Sequence, residues 1–184
     1  MPLNLRRAAL LIVLAPAALG ACAGPATIGG MTASDTGGTA IPPALEHSMT
    51  VGVVTGGEPT NPLWKSEVGN EEFRSALANS LRNFGLIAEG EQSKYAVDAA
   101  LIDLQQPSIG FSLTVTSTVE YRVRPSGSAQ VVFEDTVIAP YTASATSSFL
   151  GTERLRLANE GSIKENLETF IERLSARMNT MPVS

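Results

Sequence analysis

Two reactive side chains occur once each in this chain of 184 residues: a thiol at Cys22 and an imidazole at His47. A hydrolase of the serine type needs a histidine beside its nucleophile, and the chain has no Gly-x-Ser-x-Gly elbow to present one. A metal centre needs His, Cys or carboxylates clustered at ligand spacing. Asp98 and Asp103 are five apart in a predicted strand, which puts them on opposite faces. Glu71-Glu72 and the pair Glu165/Glu168 fall on the outer side of predicted helices and read as solvated faces. Thr55-Gly56-Gly57 lies between a predicted strand and a predicted helix, but it lacks the spacing of either glycine-rich phosphate motif. His47 precedes the first strand and reads as an exposed residue without a role. The expectation is a protein that is not an enzyme, with no catalytic set, no metal site and no cofactor.

Cys22 stands out by its position. Arg6 and Arg7 open the chain with positive charge, residues 8–19 are almost wholly apolar, and Gly20-Ala21 supplies small residues before the thiol. That order is the plan of a secretory signal. The apolar run is too short to span a bilayer, which takes about 20 residues. A single cysteine also means that no structural disulfide can form within the chain, so the core alone must hold the fold.

Leu19-Gly20-Ala21-Cys22 resembles the bacterial lipobox. The resemblance implies cleavage between Ala21 and Cys22, a thioether from Cys22 to diacylglycerol, and further acylation by groups such as palmitate. Two or three acyl chains form a near-permanent tether, where one would hold only marginally. Ala23 in place of Asp after the cysteine implies sorting to the outer membrane of a Gram-negative cell, with the body facing the periplasm. Removing the signal takes two arginines and no acid, which moves the formal charge from −5 to −7. A body that acidic is not built to bind nucleic acid, which demands a basic surface.

The domain plan is a signal over residues 1–21, a lipidated cysteine with a flexible tether over 22–44, and one domain over 45–181. The tether reading rests on a stretch of Gly, Ala, Ser, Thr and Pro with almost no charge and no apolar period. Alternation predicts strands over 47–54 (Met49, Val51 and Val53 inward), 95–104, 111–123 and 129–141. A short strand is expected at 86–88. In the third long strand Phe111, Leu113, Val115, Val119, Tyr121 and Val123 take one face; in the fourth, Val131, Phe133 and Val137 do. Asn61-Pro62 reads as a cap and first turn, opening a helix over 62–84 with Trp64, Val68, Phe73, Leu77, Leu81 and Phe84 on one stripe. Ile163, Leu167, Phe170, Leu174 and Met178 predict a second helix over 152–179. The predicted fold is α+β: a two-layer sandwich in β-α-β-β-β-α order. Its sheet is about four-stranded and mainly antiparallel, with both amphipathic helices on one face.

Three features offer a surface to a partner. Phe149-Leu150 is an apolar pair in a polar loop, either a staple onto the last helix or an exposed contact. Trp64, next to Leu63, is either core or contact. Thr114, Thr116 and Thr118 form a hydroxyl-rich outer face. The lipobox followed by strand, helix, strands and helix resembles a group of small Gram-negative outer-membrane lipoproteins. The LPS-assembly lipoprotein, the YajG-like lipoproteins and the lipoprotein auxiliaries of ABC-type lipid transporters belong to it. The resemblance implies a membrane-anchored, non-catalytic envelope protein that docks on or stabilises an assembly or transport complex. The competing expectation is a periplasmic module that binds a small lipid, glycan or peptidoglycan fragment.

Overall fold

The longest alternating run of the sequence makes the central long strand of the sheet. Its inward positions Leu113, Val115, Ser117, Val119, Tyr121 and Val123 are all buried, and the residues between them face outward. A computed structural model describes residues 24–61, 66–90, 92–107 and 110–180. The predicted signal, its cleavage site at Ala21 and Cys22, and Trp64 lie outside the described residues. The elements are α1 (Ile28–Met31), β1 (Met49–Thr55), α2 (Asn70–Asn83), β2 (Tyr95–Gln105), β3 (Leu113–Pro125), β4 (Phe133–Ala143) and α3 (Gly151–Thr180). The sheet runs in the order β1-β2-β3-β4, with β1 and β2 parallel and the other pairs antiparallel. This is the expected α+β arrangement, an open mixed sheet with its helices packed against it.

Two bulges change which residues point inward. In β1 the register slips between Val51 and Val54, so Val53 faces solvent and Val54 is buried, against the expected alternation. The cause is Asp98, whose Oδ1 accepts the Val53 N–H at 2.8 Å. A Cβ on Gly52 would sit 2.1 Å from that same oxygen, so any larger residue would push the carboxylate out of place. In β2 the register slips between Leu101 and Asp103 and leaves Ile102 exposed. Asp98 pairs with Arg122 and Asp103 with Thr118, both outward positions, so the two aspartates share a face. The expectation that they oppose one another fails because the bulge adds one residue between them.

The ends of several elements also move. Phe111 lies ahead of β3 and is exposed, and Val131 lies ahead of β4 and is partly exposed. The 86–88 strand is reduced to a single bridge between Met49 and Ile87. Helix α2 starts at Asn70 rather than Pro62. Residues 66–69 are instead tied into the preceding loop: Glu58 N–H donates to the Val68 carbonyl, and Glu67 N–H to Thr60 Oγ1. Its other end fits expectation, with Gly85 at φ 69° and Leu86 N–H returning to the Leu81 carbonyl.

The largest departure is the predicted tether. Residues 24–45 form a strap across α2 and α3, with α1 seated against both helices. Ala26, Met31, Ala33 and Leu45 are buried in the main core. Ala33 N–H donates to Ser80 Oγ at 2.9 Å, and Asn83 Nδ2 donates to the Ala33 carbonyl at 2.8 Å, so both α2 side chains grip one residue of the strap. Apart from the single turn of α1, this segment has neither a helical nor a strand period. It buries its apolar side chains one at a time, and composition alone cannot distinguish it from a linker.

Two expectations follow. Met31→Ala should lower stability by about 2–5 kcal/mol, as emptying a fully buried site does, while Ile28→Ala on the exposed side of the same turn should change little; urea unfolding reads both. Burial opposes the charge on Asp98, but hydrogen bonds from Arg124 and from Val53 N–H outweigh it and hold the carboxyl below its ordinary 3.8. The folded value is the depressed one, so this stabilisation is complete above about pH 5 and is lost as pH falls through the folded value. Asp98→Asn should therefore cost about 1 kcal/mol at pH 7 and give a shallower loss of stability below pH 4 in the same assay.

Candidate functional site

The strap enters the body at Gly24, and four segments meet there. The Gly24 carbonyl accepts from Ser66 Oγ at 2.8 Å. The Ser66 carbonyl accepts from Gln106 Nε2 and from Asn159 Nδ2, each at 2.9 Å. Gln106 Nε2 also lies 3.1 Å from Asn159 Oδ1. The strap, the loop before α2, the end of β2 and the first third of α3 are thus joined through two side-chain amides.

At the next residue of α3, Glu160 is almost fully buried and accepts the Thr27 N–H at 2.7 Å. Its carboxylate pairs with Arg156, whose guanidinium also binds Glu153. Hydrogen bonds from Arg156 hold the Glu153 carboxyl below its ordinary value against the pull of burial. A Cβ on Gly30 would lie 2.2 Å from Glu160 Oε2, so the turn of α1 presses directly on the carboxylate. This cluster is a clamp: every charge in it is spent on holding the strap or on holding another charge.

The loop between β4 and α3 closes the same end. Ser147 Oγ donates to the Ser144 carbonyl at 2.6 Å, Ser144 and Thr146 share a bond at 2.9 Å, and Arg154 Nη1 reaches the Ser148 carbonyl at 2.7 Å. The hydroxyl-rich stretch therefore braces itself. From this braced loop Phe149 projects with its whole surface exposed, and Leu150 is 54% exposed. The staple expected as one option does not form; the pair is exposed. Phe111, assigned to the core by alternation, is 88% exposed near the β3 end that faces this loop.

The remaining sequence candidates are dispersed. His47 Nδ1 is 3.9 Å from the Glu89 carboxylate, with both groups exposed. Asp98 is tied to Arg124, and Asp103 lies roughly 15 Å along the same strand at about 3.3 Å per residue. Thr114 and Thr142 share a bond at 2.8 Å on the sheet face away from the helices. Among the described residues no group of three or more His, Cys, Asp or Glu is placed to hold a metal ion. The strap and its Glu160 clamp escaped sequence reading. The available signal was Glu160 itself, an acid within the inward half of a predicted helix.

No protein-family model matches this chain, and no curated protein is similar to it in sequence. Solved structures are similar in fold. A Xanthomonas campestris protein of the family DUF330 superposes with a TM-score of 0.58 over 80% of this chain and 92% of its own, at 11% identity. A minor lipoprotein from Acinetobacter baumannii gives 0.46 over 72% of this chain and 94% of its own, at 9% identity. The first of these shares the fold, and at that identity no residue role passes from it to this chain.

The clamp makes a prediction. Glu160→Ala leaves the Thr27 N–H and the Arg156 guanidinium without their acceptor, and should destabilise the body by about 1–3 kcal/mol. Hydrogen exchange at the Thr27 amide should accelerate more than at amides of β3; equal acceleration at both would mean that Glu160 does not hold the strap locally.

Proposed function

We propose that this chain is a lipid-anchored, non-catalytic protein of the Gram-negative envelope that docks on or stabilises an outer-membrane assembly or transport complex. The observation that carries this reading is Cys22, the one thiol of the chain, set behind Leu19-Gly20-Ala21 at the end of an apolar run. The architectural likeness to small outer-membrane lipoproteins supports it. So does the way the buried polar groups are used: Ser117, Ser162, Asn166 and Tyr121 bond to one another and to strand carbonyls.

The reading as a module for a small lipid, glycan or peptidoglycan fragment places that ligand between helices and sheet. Tyr121 and Phe170 stack there with ring centroids 4.0 Å apart, and Leu167 and Ile163 fill the space beside them. That packing favours the docking reading.

The test compares wild type with Cys22→Ala, each carrying a C-terminal tag, in a Gram-negative host. Wild type should incorporate labelled palmitate, fractionate with outer membranes, and bring down an envelope protein in stoichiometric amount from gently solubilised membranes. Cys22→Ala should lose all three. Palmitate incorporation with no stoichiometric partner would leave the anchor standing and overturn the docking role.

A further inference from the structure

The end of the body where the strap begins carries three exposed apolar side chains that the fold does not use. We infer that this end is a membrane-docking surface, in which Phe149, Leu150 and Phe111 enter the boundary between headgroups and acyl chains of the bilayer that holds the anchor. The inference rests on the proposed lipidation of Cys22 and adds how the body sits once anchored.

Position is the first argument. One residue separates Cys22 from Gly24, and two backbone steps span at most about 7 Å. A Cβ on Gly24 would lie 3.7 Å from Arg156 Cδ. Arg156 is in the second turn of α3, which starts at Gly151, so it stands about 8 Å along the axis from the helix start. Phe149 and Leu150 are the two residues before that start. On the sheet side Leu113, the first residue of β3, pairs with Ala143 and packs with Ala158 of α3, which brings Phe111 to the same end. A lipid on Cys22 therefore holds these three side chains at the bilayer surface.

Charge is the second argument. The chain has 31 charged residues, yet none falls in 24–34, 110–119 or 136–152. These stretches supply the strap entry, the start of β3, and the end of β4 with its loop. Apart from Asp103, the charges on the strands lie toward the other end, where Arg124 binds Asp98, Arg122 binds Glu120 and Glu134, and Arg173 of α3 binds Asp135. The charges nearest the patch, Glu153, Arg156 and Glu160 of α3, are already paired with one another, so the apolar side chains can enter the boundary without carrying an unpaired ion with them.

Order is the third argument. The loop bearing Phe149 is already braced by the Ser144, Thr146, Ser147 and Arg154 bonds, so little freedom remains to be lost when the ring is immersed.

The test uses tryptophan emission in a Trp64→Phe background. Phe149→Trp is placed in the lipidated chain, reconstituted into vesicles of phosphatidylethanolamine and phosphatidylglycerol with brominated acyl chains. Its emission should shift to shorter wavelength and be quenched several-fold, while Ile138→Trp on the open sheet face should keep the emission of a water-exposed indole. The same substitutions go into Cys22→Ala protein held on nickel-chelating vesicles by a histidine tag just ahead of residue 22, which supplies the tether without lipidation. A Trp at 149 that stays water-exposed on both kinds of vesicle overturns the inference. A blue shift that grows with protein concentration in the absence of vesicles assigns the patch to a second copy and overturns it as well. Mass measurement of Cys22 separates the two levels: an unmodified thiol overturns the anchor and this inference together, and a lipidated chain with a wet residue 149 overturns the docking alone.

Discussion

Asn166 lies fully buried in the middle of the α3–sheet interface, and its side-chain amide is used at both ends. Its Oδ1 accepts the Tyr121 hydroxyl at 2.9 Å, and its Nδ2 donates to the Val137 carbonyl at 2.9 Å. One turn earlier Ser162 accepts the Ser117 N–H at 2.8 Å and donates to the Ala139 carbonyl at 2.8 Å. An apolar helix stripe alone could slide along a sheet with little penalty. These bonds cannot be shifted by a residue without leaving buried groups unpaired, so they lock one register. That register puts Glu160 against the strap and Asn159 against the loop before α2, and sets Gly151, with the exposed pair before it, beyond the end of β4. The burial that raises the Tyr121 hydroxyl pKa well above its ordinary value also keeps that hydroxyl protonated and able to donate.

The parts of this architecture that repeat with a regular period were readable in the sequence. β3, the β3–β4 hairpin and the stripe of α3 each offer enough periodic residues to outweigh local accidents. Reading failed where a single tertiary contact changed the parity. Asp98 pulls a bulge into β1 and exposes Val53, and the bulge in β2 brings Asp98 and Asp103 to one face. Asn61-Pro62 has the chemistry of a helix start, yet the chain spends residues 66–69 on loop bonds and begins α2 at Asn70. The strap was illegible for a different reason: its buried residues are set by the groove they fill, and the groove belongs to helices far away in the chain.

The candidate surface was half legible. Phe149 and Leu150 stand out in sequence because an apolar pair interrupts a hydroxyl-rich loop. Phe111 does not, because two positions ahead of Leu113 it continues the alternation of the strand without belonging to it. Extension of a period past the end of an element is a systematic hazard, since periodicity carries no mark of where hydrogen bonding stops. The charge distribution, by contrast, can be read directly: uncharged runs that are far apart in sequence become one pole only after the hairpin and α3 are folded.

The strap also fixes an order of events. Thr27 and its acceptor Glu160 are separated by 133 positions. A chain delivered from its N-terminus presents Thr27 early and Glu160 late, and closing so long a loop must wait for nearly the whole sequence. During that interval the strap lacks its partner on α3. Once Glu160 arrives, the strap is drawn against α3 and the interval ends. The strap is therefore held by a contact whose two halves lie near opposite ends of the chain.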